Sequence, residues 1–271
     1  MLNLGKEETE DRGLEGVNSM MNYDGFDFSP YLIVTDIKRP ILPPQRISSM
    51  SIFGRDGAYF FRKQHDAVVI TVSIIVKTDF DEGFKSFRER IRFLAQKLNK
   101  DEPKPIIFFD EDDRFINGII TDETDLDEVL TMGQGDISFY CPDPFYYAVE
   151  DEVFTFLSDG SHDFTRQKGN IESYPKIEIQ GLNDSGNIEI VTDNTTINYS
   201  GKLNSGEILV LDSDLITASV IQTDGSIRSA ISDIDNLEFP VLSMGANNIT
   251  VNVSGGASIE EIKVSARSRW I

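Results

Sequence analysis

The sequence contains very little cysteine and histidine. Cys141 is the single cysteine among 271 residues, and the only histidines are His65 and His162. One cysteine excludes an intramolecular disulfide and any zinc site built from several cysteines. With so few thiol and imidazole groups, most metal centres and nucleophilic active sites cannot be assembled. We therefore expect a protein that is not an enzyme and has no catalytic, cofactor-binding or metal site.

Basic residues are also scarce. There are 25 Lys and Arg residues against 46 Asp and Glu residues, which gives a formal net charge of -21. Nucleic-acid binding depends on neutralising phosphates with Lys and Arg, so we expect no direct nucleic-acid binding. An anionic membrane surface would repel the chain for the same reason. A strong negative charge does keep a protein soluble before it assembles.

Long apolar runs are absent. The most apolar stretch, residues 67–76, is much shorter than the roughly 20 residues that a transmembrane helix needs. Residues 1–20 are acidic and aperiodic, and they lack the basic patch and apolar core of a secretory signal. We therefore expect a soluble protein made in a cytoplasm, with a flexible acidic leader over residues 1–20.

The first half of the chain has the alternating pattern of β-strands. Apolar residues fall on one face at period two over residues 67–77, which predicts a long strand. The proline-rich segment 30–44 is typical of an edge strand or an extended arm, because proline lacks the donor that a sheet needs. Strands are also predicted over 105–109 and 114–121, on either side of a solvated acidic turn at 110–113. A metal site at this turn is disfavoured, because the run lacks the spaced ligands and the glycine of a calcium loop.

One amphipathic helix is predicted over residues 80–98. Its apolar residues recur at intervals of three and four, so they form a stripe that should pack against the sheet. Asp79 is placed to cap the helix, Glu82 occupies the capping-box position, and Pro103 follows the end. The apolar stripe consists of Phe80, Phe84, Phe87, Ile91, Leu94 and Leu98.

A protruding hairpin is predicted next to the long strand. Ile47–Phe53 and Ala58–Arg62 flank an Asp-Gly turn, which is a hairpin signal between apolar runs. The turn lacks the Gly-Lys-Ser/Thr ending and the following helix of a phosphate-binding loop. Aromatic residues beside basic ones make a poor solvent-exposed surface for a monomer, so we expect the hairpin to contact a neighbouring subunit. The residues predicted to make this contact are Phe53, Gly54, Arg55, Asp56, Gly57, Tyr59 and Phe60.

The composition changes near residue 148. The predicted strand Gly135–Cys141 ends in the proline-rich segment 142–147, which indicates a boundary between a domain at 21–148 and a domain at 149–271. Beyond it, short alternating runs recur between Gly, Asn and Asp residues, and no helical period is present. This pattern predicts a β-sandwich. The predicted strands are 175–181, 188–191, 196–199, 207–211, 218–222, 249–253 and 259–264.

Two single residues have open interpretations. Cys141 could act as a nucleophile only with His65 or His162 as its base, and a buried apolar role is favoured instead. Trp270 could stack on a sugar, fill a groove or hold a closing strand in place.

The order of these motifs resembles the tail-component family of siphophages. Each motif is short, but their order along the chain, from about Met21 to Ile271, is that of the family. The motifs are Asn22-Tyr-Asp-Gly-Phe-Asp-Phe-Ser29, Ile52-Phe-Gly-Arg-Asp-Gly-Ala58, Pro105–Arg114, Gly135–Tyr147, Tyr174-Pro-Lys-Ile-Glu-Ile-Gln-Gly181, Phe239–Val251 and the Arg-Ser-Arg-Trp ending.

The resemblance implies a distal tail protein, the hub of a bacteriophage baseplate. Such a protein is a hexameric ring in the virion, assembled in the cytoplasm of the bacterial host. The ring joins the tail tube protein to the tail-tip protein and, where one is present, to a receptor-binding protein. The resemblance further implies a mainly β fold: an α+β first domain that forms the ring with its hairpin around the neighbour, and a galectin-like second domain.

Two other functions are compatible with the sequence. A carbohydrate-binding adhesion module, recognising cell-wall polysaccharide of the host, would need exposed aromatic residues in the second domain. A cell-wall hydrolase would need a pair of carboxylates, which so acidic a chain could supply, although no spacing favours one. The aromatic candidates for sugar binding are Phe154, Phe156, Phe164, Tyr174, Tyr199, Phe239 and Trp270.

Overall fold

The computed structural model describes residues 21–77, 87–121, 126–129 and 132–271. The chain divides into two compact units, the first ending at Tyr146 and the second starting at Tyr147. Both units consist mainly of antiparallel β-strands, and the described residues contain one α-helix. The predicted mainly β fold is therefore confirmed. Among the described residues, no helix has the length and hydrophobicity that crossing a membrane requires.

The first unit is built on one large antiparallel sheet. Its strands follow the order β2-β1-β7-β8-β10-β6-β3, and β9 pairs with β10. Strands β4 and β5 form a separate two-stranded sheet. The elements are β1 (Met21–Tyr23), β2 (Phe26–Asp27), β3 (Leu32–Lys38), β4 (Gln45–Met50), β5 (Tyr59–His65), β6 (Val68–Val76), α1 (Phe87–Leu98), β7 (Lys104–Phe108), β8 (Glu111–Ile120), β9 (Leu126–Val129) and β10 (Met132–Cys141).

The predicted long strand is confirmed as β6. Its alternate residues from Val68 to Val76 are buried, and those between them are half-buried or exposed. The neighbouring strand β10 buries Ile137, Phe139 and Cys141 in the same core. Period-two burial across paired strands places one face of this sheet in the core and leaves the other face outside.

The predicted helix is confirmed over Phe87–Leu98. Its predicted first residues, including Phe80, Phe84 and the caps Asp79 and Glu82, lie outside the described residues. Leu94 is buried as predicted, whereas Phe87 and Ile91 are only half-buried against the core. Arg90 is unexpectedly buried, and its guanidinium donates a hydrogen bond to the backbone carbonyl of Lys77.

The predicted acidic turn is shorter than expected. Strand β8 already begins at Glu111, so the run 110–113 lies mostly in a strand, and the tight connection is Phe109–Asp110. Arg39 bonds both carboxylate oxygens of Asp110, at 2.7 and 2.8 Å, and reaches Glu111 at 3.2 Å. Burial alone would raise the pKa of Asp110, but the bond to Arg39 outweighs it and lowers that pKa. The acidic run is thus held by an arginine of this chain.

The second unit is a β-sandwich. A six-stranded sheet has the order β12-β21-β14-β17-β18-β19, and a four-stranded sheet has the order β13-β20-β15-β16. The elements from the junction onward are β11 (Tyr146–Ala148), β12 (Val153–Phe156), β13 (Gly160–Arg166), β14 (Lys176–Leu182), β15 (Asn187–Thr192), β16 (Thr196–Tyr199), β17 (Ile208–Asp212), β18 (Thr217–Ile221), β19 (Ile227–Ser229), β20 (Gly245–Ser254), β21 (Ser258–Ser265) and β22 (Arg269–Trp270).

Both sheets of the sandwich contribute to one core. Ile177 and Leu209 of the larger sheet and Ile188 and Val251 of the smaller sheet are almost fully buried in the same cluster. The seven strands predicted for this half are all present as strands, and the predicted β-sandwich is confirmed. Strands β12, β13, β19 and β22 were not predicted from the sequence.

The sandwich is closed by residues 266–270, here called the closing segment. The Arg267 guanidinium bonds both carboxylate oxygens of Asp212, at 2.6 and 2.7 Å. The backbone N–H groups of Arg267 and Ser268 donate to the Asp151 carboxylate at 2.8 and 3.2 Å. Arg269 donates to the carbonyl of Glu172 at 2.6 Å. Charged side chains thus join this segment to three other parts of the second unit.

Candidate intersubunit hairpin

Strands β4 and β5 form a ribbon, here called the hairpin (residues 45–65). The two strands pair antiparallel from Gln45↔His65 to Met50↔Tyr59, with a β-bulge at Ser48/Ser49. Almost every residue in both strands is exposed. An isolated two-stranded hairpin is at best marginally stable in water, and it gains stability by packing against another surface.

The base of the hairpin is fixed to the first unit. The backbone N–H of Asp66 donates to the carbonyl of Pro44 at 2.8 Å, which brings the two ends of the hairpin together. Arg46 forms an ion pair with Asp66 at 3.1 Å, and the His65 ring lies 5.8 Å from that of Phe145, edge to face. The hairpin therefore projects from a defined base.

The structure places the seven predicted contact residues at the tip of the hairpin and the start of β5. The strands are shifted from the prediction, because β4 ends at Met50 and β5 starts at Tyr59. The connection is longer than a tight turn, and Gly54 and Gly57 adopt left-handed backbone conformations in it, with φ of 77° and 88°. Arg55 donates to the Tyr59 hydroxyl at 2.6 Å and so ties the tip to the strand.

The hairpin exposes an unusual amount of apolar surface. Phe53 is completely exposed, and Phe60 and Phe61 are 64% and 59% exposed. Because Tyr59, Phe60 and Phe61 are consecutive in a strand, their side chains occupy both faces of the ribbon. Contiguous exposed apolar surface on a soluble protein usually marks a protein contact site. Further exposed apolar residues that the predicted site did not include are Ile41, Leu42, Ile47, Met50, Ile52 and Phe61.

The hairpin is also a basic segment of an acidic chain. Residues 45–65 contain Arg46, Arg55, Arg62 and Lys63 against the single acidic residue Asp56, a formal charge of +3. Since the whole chain carries -21, the remaining residues carry -24. The hairpin is therefore suited to an acidic partner surface.

The other candidate residues of the sequence do not form a reactive site. Cys141 is fully buried, and burial together with the nearby Asp143 carboxylate raises the pKa of its thiol to about 12. His162 shares a hydrogen bond with the carbonyl of Ser158 and stacks on Phe156 at 4.4 Å. Within the described residues, no three His, Cys, Asp or Glu side chains are grouped as a metal site would require.

We predict that Cys141 does not react with iodoacetamide in the native protein. At pH 8 the raised pKa lowers the thiolate fraction about 1000-fold relative to an ordinary cysteine, and burial blocks the reagent as well. Labelling followed by mass spectrometry should show no adduct until urea unfolds the first unit. Rapid labelling of the folded chain at pH 8 would contradict the buried position of this thiol.

The aromatic side chains of the second unit do not form an exposed platform. The structure describes this unit in full, and none of its eight aromatic residues is exposed. Phe154 and Phe164 pack on each other at 4.5 Å, and Tyr199 lies in the core with its hydroxyl bonded to the carbonyl of Lys202. Trp270 is half-buried in β22. Five of these rings are half-buried and three are buried, so none offers a largely exposed face on which a sugar could stack.

Comparison with known families gives a match for the first unit. Residues 26–141 match the family described as the phage tail protein RIFT-related domain. The first unit is therefore similar to this family of phage tail proteins. The match starts in β2 and ends with β10, so the hairpin lies within the RIFT-related domain.

A solved phage protein shares the fold of the chain. The crystal structure of the Dit protein of phage SPP1, described as a paradigm of the hub adsorption apparatus of phages infecting Gram-positive bacteria, superposes with a TM-score of 0.73 at 17% identity. The alignment covers 93% of this chain and 99% of that chain. A chain of the phage p2 baseplate in its activated conformation with Sr aligns over 92% of this chain, with a TM-score of 0.48 at 9% identity and 98% coverage of that chain. Comparison with curated protein sequences gives no match.

The resemblance to the siphophage tail-component family is confirmed by these comparisons. The family match establishes it for residues 26–141, and the fold of the SPP1 Dit protein extends over nearly the whole chain. At 17% identity, the structural likeness concerns the fold alone.

Proposed function

We propose that this chain is a structural, non-enzymatic component of a bacteriophage or prophage tail tip. Six copies would form the hub ring of the baseplate, and the first unit would build the ring. The ring would be part of the virion, assembled in the cytoplasm of the bacterial host.

The exposed hairpin is the observation that carries this proposal. Its apolar and basic side chains are in solvent in the single chain, yet they belong to a domain of the phage tail family. A surface of this kind usually marks a site where another protein binds. Identical subunits related by cyclic symmetry can each donate one hairpin and accept another, and this closes a ring without leaving a free hairpin.

The proposed partners follow from the position of a hub. The ring would bind the tail tube protein on one side and the tail-tip protein on the other, with a receptor-binding protein where one is present. We propose no direct binding of nucleic acid, because the net charge of -21 would repel the phosphates of DNA passing through the ring. The packed aromatic residues of the second unit favour this structural role over sugar recognition.

The oligomeric state of the purified chain tests the proposal. With 30.4 kDa per chain, six copies should appear as one species of about 180 kDa in mass photometry. Negative-stain electron microscopy should show closed rings of the same particles. A chain that remains monomeric at micromolar concentration and moderate salt would overturn the hub assignment.

A further inference from the structure

The turn between β17 and β18 exposes two large apolar side chains, Leu215 and Ile216, here called the apolar turn. They are 67% and 58% exposed, although tight turns between strands favour Gly, Asn or Asp. Ile216 also has a φ of 52°, and it is the β-branched member of the three described non-glycine residues with positive φ. This conformation costs free energy in a β-branched residue, and such strain is concentrated at functional sites.

Hydrogen bonds fix the backbone of the apolar turn. The Asp212 carboxylate accepts from the backbone N–H groups of Asp214 and Leu215, each at 3.1 Å. Asp212 is itself bound through both oxygens by Arg267 of the closing segment. The turn is therefore ordered before any partner arrives, which lowers the entropy cost of binding one.

The first unit contains a partly open apolar cavity of about 300 Å³ between α1 and the sheet. Among the residues that line it, Ala95 and Asn99 are exposed and Lys100 is half-buried, so these three mark its mouth. A cavity of roughly 150 Å³ can hold a benzene molecule, so this one has room for two branched aliphatic side chains. Its apolar walls include Leu32, Ile74, Ile91, Leu94, Leu98 and Ile137.

The surroundings of the cavity and of the apolar turn carry opposite charges. Residues 87–100, which contain α1, have five basic residues against the single acidic residue Glu89, a formal charge of +4. The second unit, residues 147–271, has 19 acidic and 8 basic residues, a formal charge of -11. Next to the turn, the side chain of Asp214 is 50% exposed. The second unit therefore complements the segment that borders the cavity.

We propose that the apolar turn of one copy of this chain binds in the cavity of a second copy. Leu215 and Ile216 would fill the cavity, and Asp214 would lie at its mouth beside Lys100. The Lys100 ammonium donates to Asp24 at 2.5 Å and has further donors for a second carboxylate. This inference rests on the proposed ring and adds a second contact between subunits, separate from the hairpin.

A second copy is the occupant that the exposure and the symmetry favour. The two side chains of the apolar turn are exposed in the single chain, so they do not fill the cavity of their own chain. Every copy carries one turn and one cavity. In a ring of identical subunits, each cavity can therefore receive the turn of a neighbour, and the contact repeats around the ring without leaving one unfilled.

Removal of the apolar turn tests its role in assembly. Leu215→Ser/Ile216→Gly should raise the concentration at which rings dissociate in mass photometry at least tenfold. The urea midpoint of the second unit, followed by Trp270 fluorescence, should not fall, because glycine adopts a positive φ without strain. A turn with no contact role would leave ring dissociation unchanged. The control Leu157→Ser removes another leucine of the second unit, 76% exposed, and should assemble like wild type.

Blocking the cavity tests the other side of the contact. Ala95→Trp places a large ring at the mouth and should weaken the rings at least tenfold as well. Gln96→Trp alters an adjacent exposed position that does not line the cavity, and it should have no effect. Combining Ala95→Trp with the turn variant should weaken the rings little further, because both changes remove the same contact. Circular dichroism of each variant checks that it is folded.

Cysteine cross-linking provides an independent readout. Asn99→Cys and Leu215→Cys, purified separately and mixed, should form an intermolecular disulfide under mild oxidation, whereas Cys141 is buried and does not compete. Gln96→Cys mixed with Leu215→Cys should not cross-link.

The outcomes separate this inference from the hub assignment. Wild-type rings that the turn variant leaves unchanged, without a cross-link between positions 99 and 215, would overturn the contact and leave the ring intact. A wild-type chain that forms no rings would overturn the proposed function, and the cross-link would still decide whether turn and cavity bind each other. Weaker rings in both variants, together with the specific cross-link, would establish the contact.

Discussion

Deletion of residues 45–65, with Pro44 joined to Asp66 through two glycines, should abolish ring formation and leave a folded monomer. The join is short because the Pro44 carbonyl and the Asp66 N–H are already hydrogen-bonded at 2.8 Å. The first-unit core should survive, since it includes no hairpin residue and the hairpin strands pair only with each other. We expect mass photometry to show only the single-chain species, and the far-ultraviolet circular dichroism of a β protein to persist.

A variant that keeps the full-length hairpin tests the contribution of its exposed aromatic rings alone. Phe53→Ser/Phe60→Ser/Phe61→Ser keeps every backbone atom of the hairpin and removes three exposed aromatic rings. Because these rings are mostly exposed in the single chain, the monomer should be as stable as wild type within about 0.5 kcal/mol. Its self-association should be at least tenfold weaker. Rings that persist after both the deletion and this substitution would contradict the intersubunit role of the hairpin.

Arg267→Ala should lower the free energy of unfolding of the second unit by about 3 kcal/mol, because it leaves the buried Asp212 carboxylate without its cation. Asp212 would keep only the backbone N–H groups of Asp214 and Leu215, each at 3.1 Å. The single tryptophan of the chain, Trp270, lies in β22 within the closing segment. Its fluorescence in a urea titration therefore reports the unfolding of this unit.

Lys263→Ala is the control for this substitution. Lys263 is 43% exposed and lies 3.8 Å from Glu178, so its loss should cost less than about 1 kcal/mol, as for other surface ion pairs. If the two substitutions lowered the free energy of unfolding equally, the proposed importance of the Arg267–Asp212 ion pair for the closing segment would be contradicted.

The free energy of unfolding of the wild-type second unit should decrease in acid. Burial alone would raise the pKa of Asp212, but the bond to Arg267 and the backbone donors outweigh it and lower that pKa. The resulting stability is complete above the ordinary value of 3.8 and is lost as the pH falls through the lowered value. Arg267→Ala should reduce this loss of stability in acid.

The alternation of apolar residues and the positions of turn residues predicted much of this fold. Where these patterns missed an element, the cause is physical. Strand β6 buries every second residue, so its pattern is visible in the sequence. Strand β13 was missed because its buried residues are Phe164 and Arg166, and a buried arginine hides the alternation. Arg166 is accommodated by hydrogen bonds to Ser173 and to the carbonyl of Ile171, which the sequence gives no means to foresee.

The helix contains a second arginine whose burial is hidden by its residue type. Position 90 lies three residues after Phe87 and four before Leu94, so the spacing alone places it on the buried stripe. An arginine is ordinarily exposed, whereas the long side chain of Arg90 is buried and its guanidinium reaches a backbone carbonyl. Spacing was the better guide to burial at this position.

The candidate site was predictable in part. The glycines around Arg55 and Asp56 predicted a hairpin, and the mixture of aromatic and basic residues suggested an interface. The exposed Ile41 and Leu42 were not foreseen, since apolar residues ordinarily predict burial and these two lie between prolines that keep them outside the sheet.

The closing segment also bears on how fast the protein folds. Arg267 and Ser268 bond to Asp151, which precedes them by 116 and 117 positions. The chain must close a loop of this length, with a loss of conformational entropy, before these stabilising contacts can form. Sandwiches dominated by non-local pairing therefore fold in roughly milliseconds to seconds. Strands β1 to β10 of the first unit end at Cys141. During synthesis, a copy therefore completes the hairpin strands while its second unit is still unfolded, and the contacts of the proposed ring can begin to form before the sandwich closes.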